Sequence, residues 1–270
     1  MQLGISSYTY GWGIDKDFNE TAHLNELDLI EKAVHFEVSL LQLGDNLPIH
    51  AWEEERLKVF EKALKKNNIS LELGARGLTE AHLQKYIALC KRFETGILRF
   101  VTDGTDWEPS INEIAGIITN HLPLLKENHI TLALENHDRF KATEYVEIMD
   151  RVKSDHVGIC LDTVNSMGAG ESAEYIVDTL APFTVNLHIK DFGIARLPHK
   201  QGFIIDGRIA GEGMLNIPLV LEKLKSYNRC NSCILEQWVP PEIENEATIR
   251  KELEWAEQGI GYLKKLSFWE

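Results

Sequence analysis

Residues 130–137 read I-T-L-A-L-E-N-H, and their pattern decides the fold. A β-branched start and an apolar run lead straight into Glu135, after which the chain turns polar. That predicts a buried strand delivering a carboxylate at its C-terminal end. The pattern recurs three times downstream: V-G-I-C-L-D ends on Asp162, T-V-N-L-H places His188 just ahead of I-K-D, and S-C-I-L-E ends on Glu236. A polar residue at one strand end is ordinary. Two Glu, one Asp and one His at four successive strand ends make the donor set of a divalent-metal site.

Working outward, strand and helix alternate eight times. Strands are predicted at 2–6, 37–43, 69–73, 97–101, 130–135, 157–161, 184–189 and 232–236. Between them, apolar residues recur at helical spacing: Leu24, Leu27, Ile30 and Val34 in the first helix, Leu57, Phe60 and Leu64 in the second, Ile249, Ala256, Ile260 and Leu263 in the last. Thr79, Ser172 and Asn216 stand where helix caps belong, Asn67-Asn68 closes the second helix, and Pro123 should kink the fourth. Eight β-then-α units in 270 residues predict a single (β/α)8 barrel domain over 1–270. A doubly wound open sheet is the runner-up, but its dinucleotide-binding form would want a G-x-G-x-x-G turn after an early strand, and none is present.

Composition narrows the function. With 44% hydrophobic residues the chain can bury a full core. Its 28 Lys and Arg against 42 Asp and Glu leave a formal charge of −14, which repels phosphate backbones and weighs against nucleic acid. The predicted first strand follows Met1 so closely that no signal peptide fits, and no apolar run approaches a membrane span. A soluble, cytoplasmic protein is expected, with no membrane partner and with a homo-oligomer left open. Cys230 and Cys233 form a C-x-x-C without a second pair, while Cys160 lies inside a predicted core strand as a small hydrophobe.

In a parallel barrel all C-terminal strand ends meet at one rim, where active sites of this fold lie. Glu135, Asp162, His188 and Glu236 thereby become one site. Three carboxylates around an imidazole form a hard, oxygen-rich set suited to Mn²⁺ or Mg²⁺, with Co²⁺ or Zn²⁺ as alternatives. A metal chelating a carbonyl oxygen and the neighbouring hydroxyl stabilises the enediolate formed at the carbon between them. Glu135 and Glu236 are the candidate catalytic bases. Return of the proton to the other face is epimerisation, its return to the next carbon is isomerisation, and loss of a leaving group is dehydration or lyase chemistry.

The segments L-A-L-E-N-H, G-I-C-L-D-T-V-N-S, L-H-I-K-D and I-L-E-Q-W, with the opening G-I-S-S-Y, resemble the sugar phosphate isomerase/epimerase superfamily of xylose isomerase-like barrels. Ketose 3-epimerases, inosose isomerases and dehydratases, and the endonuclease IV group belong to it. The resemblance implies a metal-dependent enzyme acting on a small carbohydrate, a keto-sugar, sugar phosphate or inosose. It places the family's metal ligands on Glu135, Asp162, His188 and Glu236, with the two Glu also moving the proton. Ketose epimerases usually carry a His three residues after the metal-binding Asp, where this chain has Asn165. Asn cannot titrate near neutral pH, which counts against a plain C3-epimerase and against the extra His ligands of the nuclease group. A sugar-binding barrel without turnover is the non-enzymatic alternative.

Further candidates line the same rim. Lys190, Arg196, His199, Lys200 and Arg208 cluster in the long connection from 190 to 215, where Lys190 and Arg208 are the candidates for an anionic substrate group. Gly202, Gly207, Gly211 and Gly213 suggest a lid or tight turns there. Tyr8, Trp12 and Trp238 are candidate sugar-stacking walls, His137 a candidate substrate contact, and Glu72 a barrel-interior charge expected to pair with Arg99.

Overall fold

The computed structural model describes residues 1–14 and 23–269. Its strands are β1 (Gln2–Ser6), β2 (Leu40–Leu43), β3 (Ser70–Arg76), β4 (Ile97–Val101), β5 (Thr131–Glu135), β6 (Val157–Asp162), β7 (Thr184–Ile189), β8 (Asp191–Arg196), β9 (Phe203–Arg208) and β10 (Ser232–Leu235). All but β8 and β9 close into a parallel barrel, β1 through β7 in order and then β10, which pairs back with β1. The helices are α1 (Gly11–Ile14), α2 (Glu26–His35), α3 (Glu54–Asn67), α4 (Glu80–Phe93), α5 (Ile111–Glu127), α6 (Ala142–Val152), α7 (Ala173–Leu180), α8 (Ile217–Tyr227) and α9 (Asn245–Leu263). The alternation seen in the sequence is thus a (β/α)8 barrel. No described helix is long and apolar enough to cross a membrane.

Local chemistry sets the element ends. Thr79, Ser172 and Asn216 each accept a backbone N–H in the first turn of α4, α7 and α8, and Asn68 closes α3 in the left-handed region at φ 54°. Parallel register then carries the strand ends to one level: Glu135 lies beside Cys160, Asp162 beside His188, and Ile5 beside Leu235. Residues of alternate parity face the barrel interior. Glu252 of α9 is buried and accepts the backbone N–H groups of Trp12 (2.9 Å) and Gly13 (3.0 Å), tying the segment after β1 to the last helix; burial pushes its carboxyl up to about 8.

Four details differ from the sequence reading. β2 begins at Leu40, not at 37, because Glu37 takes a left-handed φ of 52° in the turn that ends α2. α2 buries Leu29, Ile30 and Ala33 and leaves Leu27 and Val34 exposed. Its N-cap Asn25 sets the start, and the Glu26 carboxylate, drawn inward by Arg56 at 2.6 Å, belongs to the buried side. Pro123 lies within one uninterrupted α5, on its exposed side, where water can serve the carbonyl that loses its partner. Finally, the long connection after β7 contains an antiparallel hairpin, β8 with β9. Its tight places are where the glycines were noted: Gly202 and Gly211 have φ of 117° and 92°, and a Cβ on Gly207 would collide with the Trp238 carbonyl.

Candidate metal centre and active site

The four strand-end residues converge inside the mouth of the barrel, each almost completely buried. Glu135 ends β5, Asp162 ends β6, His188 stands one residue from the end of β7, and Glu236 follows β10. His188 Nδ1 lies 3.4 Å from Glu236 Oε1 and 3.8 Å from Glu135 Oε1. Ligand atoms of Asp162, His188 and Glu236 lie within 4.8 Å of one another, close enough to share one ion.

Hydrogen bonding decides which imidazole nitrogen faces this cluster. Gln42 donates its amide to Glu72 Oε2 (3.0 Å) and Asn186 Oδ1 (3.2 Å), which leaves Gln42 Oε1 as the acceptor for His188 Nε2–H at 2.8 Å. His188 Nδ1 has no hydrogen-bond partner and turns its lone pair towards the carboxylates. Glu135 Oε2, Asp162 Oδ2 and Glu236 Oε2 are likewise buried without an aligned hydrogen bond. His188 Nδ1 is thus left without an aligned hydrogen bond, and one oxygen of each carboxylate is held only by the cations Arg99 and Lys190, an arrangement a metal ion can take over.

The charges point the same way. Arg99, from β4, pairs with Glu135 Oε2 and with Asp45 Oδ1 (2.8 Å), and Lys190 Nζ lies 2.8 Å from Asp162 Oδ2 and 3.0 Å from Glu236 Oε2. Asp45 is shared with Arg76 (3.2 Å), so Glu135, Asp162 and Glu236 are left facing Arg99 and Lys190, with carboxylates in excess. Burial alone would push Glu236 up, but the facing His188 and Lys190 outweigh it and hold its carboxyl well below the usual range. Burial opposes the charge on Lys190 too, and Asp162 and Glu236 more than compensate, keeping it an ammonium. Burial opposes a proton on His188, but Glu236 and Glu135 outweigh it and raise the imidazole above its ordinary range. The residues present fit a divalent metal.

Second-tier contacts lock the ligands. Asn136 Oδ1 accepts the Asp162 N–H (2.7 Å) while its amide donates to the Asp162 carbonyl (2.9 Å) and Ser166 Oγ (2.9 Å). Asp162 Oδ1 accepts the N–H groups of Val164 and Asn165, Asn165 Nδ2 donates to Glu135 Oε1 (2.8 Å), and Ser6 Oγ donates to Glu236 Oε1 (3.1 Å). Asn165 is thus brought to the cluster, as is Lys190. His137 is set on the adjoining rim, its Nδ1 on Asp138 (2.6 Å) and its Nε2 facing Arg76 (3.3 Å). Tyr8 packs under the Arg99 guanidinium, 5.8 Å from ring centre to Cζ. Trp12 donates its indole N–H to the Val239 carbonyl (3.0 Å), and Trp238 is 44% exposed. Arg208 has its guanidinium on Asp206 and the Gly207 carbonyl, within the hairpin.

Sequence reasoning placed Glu72 in the interior beside Arg99 but missed Gln42 and Asn186 of the same polar layer. Gln42, Arg99 and Asn186 each interrupt an otherwise apolar strand, L-L-Q-L, I-L-R-F-V and T-V-N-L-H, and that interruption was the available signal. Glu72 does lie in the interior, but it does not pair with Arg99: it accepts the amides of Gln42 and Asn186 (3.1 Å), and Arg99 is turned up the barrel to Glu135 and Asp45. Cys160 gives its thiol to Asn186 Oδ1 at 2.9 Å, and burial pushes that thiol well above its ordinary range.

Comparison with known proteins agrees with this architecture. Residues 30–259 match the model of the xylose isomerase-like TIM barrel family. The chain belongs to that family. It is 27% identical over 263 residues to 3-oxo-isoapionate decarboxylase of Pectobacterium atrosepticum, covering 97% of this chain and 95% of that protein. Among solved structures, D-psicose 3-epimerase from Clostridium cellulolyticum H10, determined with D-tagatose, superposes with a TM-score of 0.72 at 15% identity, over 98% of this chain and 97% of that one. A xylose isomerase-like barrel from Mycobacterium smegmatis in complex with magnesium gives 0.70 at 12% identity, over 97% of each chain. The relatives of this xylose isomerase-like chain thus include sugar epimerases and a decarboxylase, enzymes of a sugar-modifying family.

Proposed function

We propose that this chain is a divalent-metal-dependent lyase that removes the carboxyl group of a small 3-oxo sugar acid and protonates the enediolate left behind. Glu135, Asp162, His188 through Nδ1, and Glu236 would hold the ion, and the oxygen-rich set favours Mn²⁺ or Mg²⁺. When bound, the ion would chelate the oxo oxygen and a neighbouring hydroxyl and stabilise the negative charge that develops there.

The carrying observation is Lys190, whose ammonium sits between Asp162 and Glu236 at 2.8 and 3.0 Å. An enzyme that passes a proton between two faces of a carbon needs two unencumbered bases, yet Lys190 lies on Glu236 and Arg99 on Glu135. Loss of CO₂ needs no base. The C–C bond breaks, its electron pair passes towards the oxo oxygen, and a proton is then returned to carbon. Lys190 is placed to hold the departing carboxylate and to supply that proton from Nζ. Asn165 holds Glu135 in place, while Tyr8, Trp12, Trp238 and His137 shape the rim around the sugar. The likeness to the decarboxylase along nearly the full length of both chains supports the same reading. Arg208, engaged with Asp206, is ill placed for a phosphate.

Epimerisation or isomerisation of a keto-sugar is the second reading, favoured by the two Glu carboxylates that reach His188 from different strands. The test offers metal-loaded protein 3-oxo sugar acids and neutral ketoses in D₂O. The proposal expects CO₂ from the acids, one deuterium at the carbon that lost it, and unchanged ketoses. Epimerised or isomerised ketose without CO₂ release would replace it with the second reading.

A further inference from the structure

The barrel closure sets two cations on opposite sides of its mouth. β3 and β7 stand four strands apart in either direction round the closed ring, so they face each other across it. Lys190 follows β7 directly and bonds Asp162 and Glu236, whereas Arg76 is the last residue of β3. Alternation along β3 puts Arg76 on the same face as Glu72 and Gly74, the face turned to the barrel interior. Gly74 keeps that face open. A Cβ there would lie 3.3 Å from the Arg99 stem, and its absence lets Arg99 rise past β3 to Glu135 and Asp45.

Arg76 is tethered to the centre at two points. Its Nε lies 3.2 Å from Asp45 Oδ2, and Asp45 Oδ1 takes the Arg99 guanidinium that reaches Glu135. Its Nη2 donates to His137 Nε2 at 3.3 Å, and His137 follows Glu135 by two residues. Asp138 accepts from His137 Nδ1 at 2.6 Å, which makes Nε2 the acceptor. Burial opposes the charge on Asp45, but Arg99 and Arg76 outweigh it and hold its carboxyl below the usual range, an anchor for both guanidiniums. Two nitrogens of Arg76 are thereby fixed, while Nη1 makes no hydrogen bond among the described residues and the side chain is 39% exposed. A guanidinium held at two nitrogens with the third free is a preorganised donor.

We propose, on the reading that Lys190 holds the carboxylate, that Arg76 sets specificity for the far end of the substrate by donating from Nη1 to a hydroxyl beyond the oxo carbon. A small acid whose carboxylate lies by β7 at the metal centre extends its remaining carbons towards β3, where Arg76 stands. A neutral hydroxyl suits that place better than a second anion. Asp45, Glu135 and Asp138 already stand against Arg76 and Arg99, which leaves no surplus of positive charge to hold one. An acid lacking the hydroxyl would cover the donor and leave it unpaired, and the site would reject it on that ground.

Threonate and erythronate carry a hydroxyl in place of the oxo group and cannot lose CO₂, so calorimetric titration of Mn²⁺-loaded protein reads their binding without turnover. Wild type should bind at least one of them about 10–100-fold more tightly than its analogue lacking only the terminal hydroxyl. Arg76→Met should bring the pair within a few-fold of each other by weakening the hydroxylated acid alone. Lys190→Met should weaken both and keep the preference. A wild type without the preference, a preference that survives Arg76→Met, or an equal loss of both acids in that variant overturns the proposal, the last because Arg76 would then serve only to hold Asp45. Should 3-oxo sugar acids release no CO₂ while the preference stands and is lost in Arg76→Met, the proposed reaction falls and Arg76 keeps its hydroxyl.

Discussion

Glu72 and Glu236 are the same residue type, both buried inside one barrel, and their carboxyls are shifted in opposite directions. Burial pushes the Glu72 carboxyl up, and the amides of Gln42 and Asn186 with the Ser232 hydroxyl only partly offset it. At Glu236 the desolvation is opposed by His188, Lys190 and Arg99, and the carboxyl falls well below its usual range. One layer of the barrel separates them, since Asn186 precedes His188 by two residues on β7 and bonds Glu72 while His188 faces Glu236. Depth in the protein is common to both. What distinguishes a metal-ligand layer from a structural one is the company of cations and an uncommitted imidazole nitrogen.

The largest effects should come from the upper layer. Glu236→Gln keeps an oxygen for the metal but removes the anion that Lys190 and His188 face. Lys190, the proton donor of the proposed reaction, loses the anion that positions its ammonium, so turnover of a true substrate should fall by about 10²–10⁴-fold while much of the metal is retained. Turnover within a few-fold of wild type would show that Glu236 is merely another Glu72.

Gln42 joins the two layers, accepting from His188 Nε2 and donating to Glu72. Gln42→Met removes the contact that orients the imidazole, and metal affinity measured by competitive chelation should weaken by about 10–100-fold. An unchanged affinity would mean that the tautomer is set by something other than Gln42. Because the ion must displace a proton from a His188 whose basicity is raised, metal affinity should also decline as pH falls through the imidazole's titration.

The smallest effect belongs to the lower layer. Glu72→Gln should leave metal binding and turnover intact and shift stability by about 1 kcal/mol or less near neutral pH. The sign of its pH dependence follows from the raised carboxyl: the wild-type contribution is present below the unfolded-state pKa and is lost as pH rises through the folded one. The variant should therefore gain on wild type in thermal melts as the buffer becomes more alkaline. A relative loss at high pH would mean that Glu72 is ionised and belongs with Glu236.

The same contrast explains what could be read in the sequence. The upper layer was legible because its residues end apolar strands, and fold topology alone carries strand ends to a common rim, as with Glu135, Asp162 and His188. The lower layer was legible only in part: Glu72 stood out as an interior charge, but its partners, and those of Arg99, depend on which interior residues share a level. The helical face of α2 failed for a related reason: Leu24, Leu27 and Val34 fit the spacing, but the ion pair of Glu26 with Arg56 belongs to the buried side. The β8–β9 hairpin was hidden by glycines that read as loop residues, whereas Gly207 and Gly213 are there for close approach to Trp238 and Asp191.

The central claim, that the four strand-end residues form one metal centre with His188 binding through Nδ1, is tested most directly by counting metal. Protein reloaded with Mn²⁺, freed of excess and analysed for elements should hold one ion per chain. His188→Ala and Asp162→Ala should hold none, with the barrel still folded by circular dichroism. A wild type that retains no ion, or variants that keep theirs, would contradict the account.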